Sequence, residues 1–389
     1  MKNGSFIYSA VRTPIGQFNG VLSSMAAPDL ASAAIKEALR RAGINGDQVQ
    51  EVLLGNVLSA GIGQAPARQA ALKSGLPDTV GATTINKVCG SGMKAVMLAD
   101  QSLRLNQAQF IVAGGMESMS RAPFLLPQMR QGRKLGNAPA IDSMIHDGLC
   151  DPLENDHMGE LSEKISQQHG ISRESQDAFA AASYCRARKA QDDGTFAREI
   201  VSVVINSKEG TSVVDKDEQP YADEPDQLAL LSPVFDKQGG TITKGNGAKI
   251  SDGAAALVVG QESSGHAPLA RIAGYATYAQ SSATFALAPI DAIRKVLQSC
   301  DLTIKDIDLF EINEAFAAMS LIVNKKLGLD PDQVNVHGGS IALGHPIGST
   351  GARILVTLIN ALQMRGLKRG LASLCIGGGE ATAMVIELV

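Results

Sequence analysis

Apolar positions along this chain follow two periods, and the switches between them predict its elements. From residue 29 to 43, Leu30, Ala34, Ala38 and Ala42 share one helical face, which Asp29 can cap and Gly43 can stop. A helical pattern follows Cys89-Gly90-Ser91-Gly92, another covers residues 173–191 behind Ser172, and another covers residues 352–362. Short unbroken apolar runs, residues 254–260 and the run ending at Cys375, read instead as buried strands. Residues 119–249 break the rhythm. They are rich in charge, glutamine and proline and poor in strand signals, and read as an insertion with its own helices.

The core pattern is written twice. AIKEAL at 34–39 matches AIRKVL at 292–297, and at the same offset Val49, Val52 and Leu54 match Ile307, Phe310 and Ile312. IVAGGME at 111–117 is similar to LCIGGGE at 374–380 after a short shift. Each half reads helix, strand, Gly-rich turn, helix, strand. Two halves related by a pseudo-twofold would bring the Cys89 turn, the His345 turn and the strand end at Cys375 toward one site.

Composition narrows the partners. A chain of 389 residues buries a large core, expected over more than one domain. Its net charge of −4 gives no general attraction for nucleic acid or an anionic membrane. With no Trp and 4% aromatics, platforms for stacking bases are scarce. No stretch is apolar for long enough to span a membrane. The five cysteines, at 89, 150, 185, 300 and 375, are odd in number and scattered, and residues 1–5 carry no signal-peptide pattern. That predicts a reducing cytoplasm rather than a disulfide framework, and the final Glu387-Leu388-Val389 is not a peroxisomal signal. Short metal-ligand spacings and a Gly-x-x-x-x-Gly-Lys-Ser/Thr loop are missing, which argues against a zinc site and a nucleotide-phosphate loop.

Chemistry enters with Cys89. Its flanking glycines allow a sharp turn, and the position at or just before a helix start favours a thiolate nucleophile. The competing reading is one more buried apolar cysteine. His345 lies in a Gly-rich loop before the helix over 352–362. Cys375 precedes Gly377, Gly378 and Gly379, and Asn313 and Glu314 close a short apolar segment. Asn313 and Glu314 could equally be a helix N-cap pair. Nucleophile, imidazole, second thiol and amide are together the ingredients of acyl transfer through a thioester.

Five motifs in order, IYSAVRTPIG at 7–16, NKVCGSG at 86–92, GGMESMS at 114–120, NEAF at 313–316 and GHPIG at 344–348, together with CIGGG at 375–379, resemble the thiolase family nearly end to end. The resemblance implies a five-layer αβαβα fold of two duplicated α/β halves with an inserted loop domain. The expected division is residues 1–118 with 250–270, then 119–249 for coenzyme A binding and tetramer contacts, then 271–389. It also implies coenzyme A-dependent cleavage or Claisen condensation of a 3-ketoacyl thioester, with acetyl-CoA and coenzyme A as substrates, no permanently bound cofactor and no metal. Cys89 would take the acyl group. His345 would accept its proton and then hold an oxyanion. Cys375 would act as second base if its pKa is lowered. Asn313 would fix a water in one oxyanion hole, and the N–H groups of Cys89 and Gly377 would form another.

The family's pantetheine pocket carries over to Leu149, His157, Met158, Ala315 and Phe316, and His157-Met158-Gly159 points to the short-chain, acetoacetyl-type branch. Four positions depart from the family pattern. Ala248 lacks a hydroxyl that would bond pantetheine, and Lys249 replaces a glycine near the ligand, where it could pair with a phosphate or remain a solvated loop lysine. Tyr221 falls where relatives carry an arginine, and Glu380 follows the Gly triplet where an uncharged residue is usual. The expected activity is acetyl-CoA C-acetyltransferase in a homotetramer. The alternatives are a broad-range degradative 3-ketoacyl-CoA thiolase of fatty-acid β-oxidation, or a non-catalytic acyl-CoA- or lipid-binding relative. The second would be expected to have lost Cys89, His345 or Cys375. A ketosynthase-like or hydroxymethylglutaryl-CoA-synthase-like enzyme would carry His, Asn or Glu where this chain has Cys375.

Overall fold

The computed structural model describes residues 5–208, 210–262 and 265–389. β1 (Phe6–Arg12) and the short β2 (Gly16–Gln17) lead to α1 (Ala27–Ala42), β3 (Val49–Gly55), α2 (Pro66–Lys73), β4 (Gly81–Ile85), α3 (Ser91–Arg104) and β5 (Phe110–Ser118). The stretch that follows holds two small strand pairs, β6 (Phe124–Leu125) with β7 (Ile141–Asp142) and β8 (Val203–Ser207) with β9 (Gly210–Val214). Between those pairs lie α4 (Met158–Gln168) and α5 (Arg173–Asp192). β10 (Ser251–Gly260) then returns to the core, followed by β11 (Ala270–Ala279), α6 (Ala288–Ser299), β12 (Leu309–Ile312) and α7 (Ala317–Leu327). The chain closes with α8 (Ser340–Leu343), α9 (Ile347–Arg365), β13 (Arg369–Ile376) and β14 (Glu380–Leu388).

The sheet order carries the duplication. One half runs β4-β3-β5-β10-β1 and the other β12-β13-β14-β11, joined where Phe6 and Ile7 pair with Arg271 and Ala270. In each half the first connected pair is parallel (β3 with β5, β12 with β13), and the next two pairings are antiparallel. The counterpart of β4 shrinks in the second half to one parallel bridge between Phe310 and Val334.

Strand alternation sorts the side chains into layers. In β10, Ala254, Ala256 and Val258 face α1, while Ala255, Leu257 and Val259 join α3 and α9. In β14, Ala381, Ala383 and Val385 face α6, while Met384 and Ile386 reach the α3–α9 layer from the other side. The result is helix, sheet, paired central helices, sheet, helix. α9 is buried all round from Ile347 to Leu362 because both sheets cover it, so its sequence shows no clean polar face.

Local physics corrects three expectations. Asp29 does not cap α1. The helix begins two residues earlier, where Pro28 suits a first turn that needs no N–H, and Asp29 sits inside that turn paired with Lys73. The helix expected over 352–362 spans Ile347–Arg365, because the helix already starts behind Pro346. The likeness of IVAGGME to LCIGGGE is out of structural register. The paired strands equate Val112 with Leu371, which puts Gly114 and Gly115 mid-strand and Gly377 to Gly379 in the turn after β13. The glycines serve different ends. A Cβ on Gly115 would lie 2.1 Å from the Gly348 carbonyl oxygen, whereas Gly378 and Gly379 adopt φ of 85° and 90°.

Buried Arg12 ties the 199–217 region to β1. Its guanidinium donates to Glu199 at 2.5 Å and to both oxygens of Asp217 at 2.6 and 2.8 Å. A bidentate pair of this kind gives orientation as well as attraction.

Candidate active site

The Cys89 turn is strained and held. Val88 has φ 45°, a left-handed conformation that costs a β-branched residue on the order of 1–3 kcal/mol. Its N–H donates to Asn86 Oδ1 at 3.0 Å, and its carbonyl accepts from Ser91 Oγ at 2.6 Å. Helix α3 starts at Ser91, so Cys89 stands two residues before it. Close approach brings the end of β13 against this turn: a Cβ on Gly90 would lie 2.3 Å from Ile376 Cδ1. Lys87 also pairs with Glu380 just past the Gly triplet, so the departure at Glu380 links the two loops.

Cys89, His345, Cys375 and Gly377 line one cavity of about 450 Å³. Leu149, His157, Met158, Ala248, Ala315 and Phe316 line the same cavity. Two expected residues stand outside its wall. Lys249 turns its ammonium to Asp223 at 2.8 Å and over the Tyr184 ring, which corrects the reading of a lysine available to a ligand phosphate or left in solvent. An ammonium with little access to water takes the nearest carboxylate. Lys244 lines the cavity in its place and is largely solvent-exposed. Asn313 lies just behind the wall. Its N–H donates to the Ser373 carbonyl at 2.9 Å, and Ala315, two residues on, reaches the cavity. Tyr221 is exposed and bonded to Asp192, with Arg188 over its ring.

His345 Nδ1 lies 2.7 Å from Thr350 Oγ1, and when that hydroxyl donates to the Pro346 carbonyl at 3.0 Å it accepts from Nδ1–H. Nε2 is thereby left as the basic nitrogen. Burial, with a further push from Arg353, lowers His345 to about 3, so the ring is a neutral base. His157 is oppositely set: Nδ1 accepts from the Gly159 N–H at 3.0 Å, which caps α4 and leaves Nε2 as the donor.

The thiols differ from expectation. Burial pushes Cys89 up to about 11, outweighing the N–H groups of Gly377 and of Cys89 itself, which favour the thiolate. Burial, and then the nearby charge of Cys89, pushes Cys375 well above the usual thiol range. For each thiol, burial penalises the charged form more than the neighbouring backbone N–H groups relieve it, so both rest as neutral thiols.

Asn313 and Glu314 are not N-caps, since Phe316 holds that place on α7. Glu314 is buried and accepts from Ser183 Oγ at 2.7 Å and Asn335 Nδ2 at 2.9 Å, which anchors the loop. The sequence reading missed Phe235, whose ring stacks on His157 with centroids 4.9 Å apart. Its only signal is Gly159, where a Cβ would lie 2.0 Å from that ring. Glu117 entered the sequence reading only as part of a motif and without a role; this carboxylate accepts from the N–H groups of Val57, Leu58 and Gly348 and so fixes the start of α9.

This duplicated α/β core, with two thiols and an imidazole at one cavity, belongs to the thiolase family. The profile for the thiolase N-terminal domain matches residues 5–263, and that for the C-terminal domain matches residues 266–388. The acetyl-CoA acetyltransferase of Escherichia coli K12 is 51% identical across 100% of this chain and 99% of its own length. That of Cupriavidus necator is 47% identical over 98% of both chains. The crystal structure of the Bacillus anthracis acetyl-CoA acetyltransferase superposes with a TM-score of 0.97 at 42% identity, covering 100% of this chain and 99% of the other.

Proposed function

We propose that the protein is an acetyl-CoA C-acetyltransferase, condensing two acetyl-CoA to acetoacetyl-CoA and running the reverse thiolysis through an acyl-Cys89 intermediate. The observation that carries this is the meeting of Cys89, His345, Cys375 and Gly377 on one cavity. The relatives named acetyl-CoA acetyltransferase support it along the full chain.

The resting protonation states fit a balanced cycle. Cys89 gives its proton to His345 Nε2 and attacks the thioester carbonyl, and the N–H groups of Cys89 and Gly377 face the oxyanion that forms. The coenzyme A thiolate leaves with the proton of Cys375. This step makes the second base: Cys375 becomes a thiolate only after acylation, so it needs no lowered pKa at rest. It removes a proton from the methyl of a second acetyl-CoA, and the resulting carbanion attacks the acyl carbonyl. Cys89 departs as thiolate and recovers its proton from His345, leaving all three groups neutral. In thiolysis the same steps reverse, and the neutral Cys375 thiol protonates the departing carbanion.

Mass spectrometry after brief mixing with acetyl-CoA tests this reading. We expect the acetyl group on Cys89 alone, and none in Cys89→Ser. Cys375→Ser should still acylate, while turnover falls by roughly a hundredfold to ten-thousandfold. Acetylation that survives Cys89→Ser would remove the central claim.

Leu149, His157, Met158 and Phe316 line the cavity, and side chains of this bulk beside the acyl end would favour a short acyl group. A pocket discriminates by roughly 1–3 kcal/mol per methylene that fails to fit. Acetoacetyl-CoA should therefore exceed 3-ketoacyl chains of eight or more carbons by about tenfold or more in kcat/KM. An equal or better long substrate would move the assignment to a degradative thiolase of fatty-acid metabolism.

The proposed setting is the cytoplasm, with coenzyme A and acetyl-CoA as substrates and no permanently bound cofactor. Among the described residues no helix is long and apolar enough to cross a membrane. The proposed assembly is a homotetramer whose contacts use roughly residues 119–136. Phe124, at 68% exposure, and Leu135, at 91%, support an apolar contact there.

A further inference from the structure

The buried polar groups behind the cavity form a directed chain. Arg353, in the second turn of α9, is fully buried. Its Nη2 donates to Ser340 Oγ at 2.9 Å, and Ser340 Oγ lies 2.6 Å from Asn313 Oδ1. Glu311 is the nearest counter-charge, 3.6 Å from Nη1, and among the described residues neither Nη1 nor Nε has a hydrogen-bond partner. Among the described residues the cation's one close hydrogen bond is therefore to Ser340.

A hydroxyl has one proton. A guanidinium can only donate, so it occupies one of the two lone pairs of Ser340, and the hydroxyl proton goes to Asn313 Oδ1 at 2.6 Å. That proton requires the oxygen end of the amide to face Ser340. Nδ2 then points away from Ser340, and that buried N–H has no partner among the described residues. The backbone of Asn313 is fixed independently through Ser373, two residues before Cys375.

We propose that Ser340 and Arg353 are positioning residues for the reaction. The chain from Arg353 through Ser340 sets the orientation of the Asn313 amide, so that its N–H, rather than its carbonyl oxygen, is presented for the substrate oxygen or a water that holds it. This rests on the reading of Asn313 as part of the oxyanion machinery. Neither Ser340 nor Arg353 touches the substrate, and both act through Asn313.

A double-mutant cycle on the full-length enzyme tests the coupling. Deleting an oxyanion donor costs roughly a hundredfold to a thousandfold in kcat. We expect Asn313→Ala to approach that loss and Ser340→Ala to lose about tenfold to a hundredfold in acyl-enzyme formation, with KM for acetyl-CoA changed less than about threefold. Ser340→Thr, which keeps a hydroxyl, should recover most of the rate. In the Asn313→Ala background, Ser340→Ala should cost less than about twofold. A full additional loss there would show that Ser340 does not act through Asn313, and would overturn the proposal. So would a near-normal Ser340→Ala enzyme beside an impaired Asn313→Ala enzyme. A near-normal Asn313→Ala enzyme would instead remove the role of Asn313 itself, and the proposal with it.

Discussion

At the scale of single residues, the proposed cycle starts from uncharged groups. Cys89, pushed up to about 11, is a neutral thiol at pH 7, and His345, pushed down to about 3, is a neutral base. The sign follows directly: a raised thiol pKa means that thiolate appears only as pH rises toward 11. In the free enzyme we expect iodoacetamide to alkylate Cys89 at a rate that keeps climbing above pH 8. A rate that levels off below pH 8 would show a resting thiolate and contradict the neutral starting state. His345 stays unprotonated well below pH 6, so acyl-enzyme formation should show no acid limb from this residue between pH 6 and 7.

At the scale of elements, close backbone contact replaces side-chain packing where the two halves meet. The start of α9 presses on β5, with Gly115 against the Gly348 carbonyl. Glu117 of β5 accepts the Gly348 N–H at 2.9 Å from the same strand. A methyl at Gly115 cannot be absorbed by a flexible side chain, because the colliding atom is backbone. Overpacking of this kind costs typically about 1–3 kcal/mol. We expect Gly115→Ala to lower stability by at least that range in urea unfolding and to lower activity by displacing the His345 loop that leads into α9. Stability and kcat within error of the parent would mean that α9 can move away from β5 without consequence.

At the scale of the whole molecule, two similar halves share one central helical layer and build one cavity from both. Cys89 comes from the first half, while His345 and Cys375 come from the second. The proposed homotetramer adds a further level. The segment around β6 and β7 exposes Phe124, Leu126, Met129 and Leu135, more apolar surface than a short hairpin usually leaves to water. Light scattering at micromolar concentration should give a mass near four chains, and removing part of residues 119–136 should yield dimers with residual activity. A monomer in the intact protein would contradict that assembly.

Sequence alone carried the elements whose signal is local. The apolar period of α1, the Ser172 cap of α5, the Gly43 stop and the repeated helix–strand pattern were all legible, because propensity, capping and alternation act between near neighbours. The thiols, the imidazole and the Gly triplet could be singled out for the same reason: their chemistry is written in their own residue types and immediate neighbours. The tertiary structure decided what depends on distance through space. It set the charge of Cys89 and Cys375, since burial is produced by elements far away in sequence, and it gave Lys249 to Asp223 instead of leaving it for a phosphate. It shifted the apparent glycine repeat out of register, because one pair of glycines answers a backbone contact across layers and the other a left-handed turn. It also assembled the chain from Arg353 through Ser340 to Asn313, three residues far apart in sequence that meet only once α8 and α9 pack against the loop after β12.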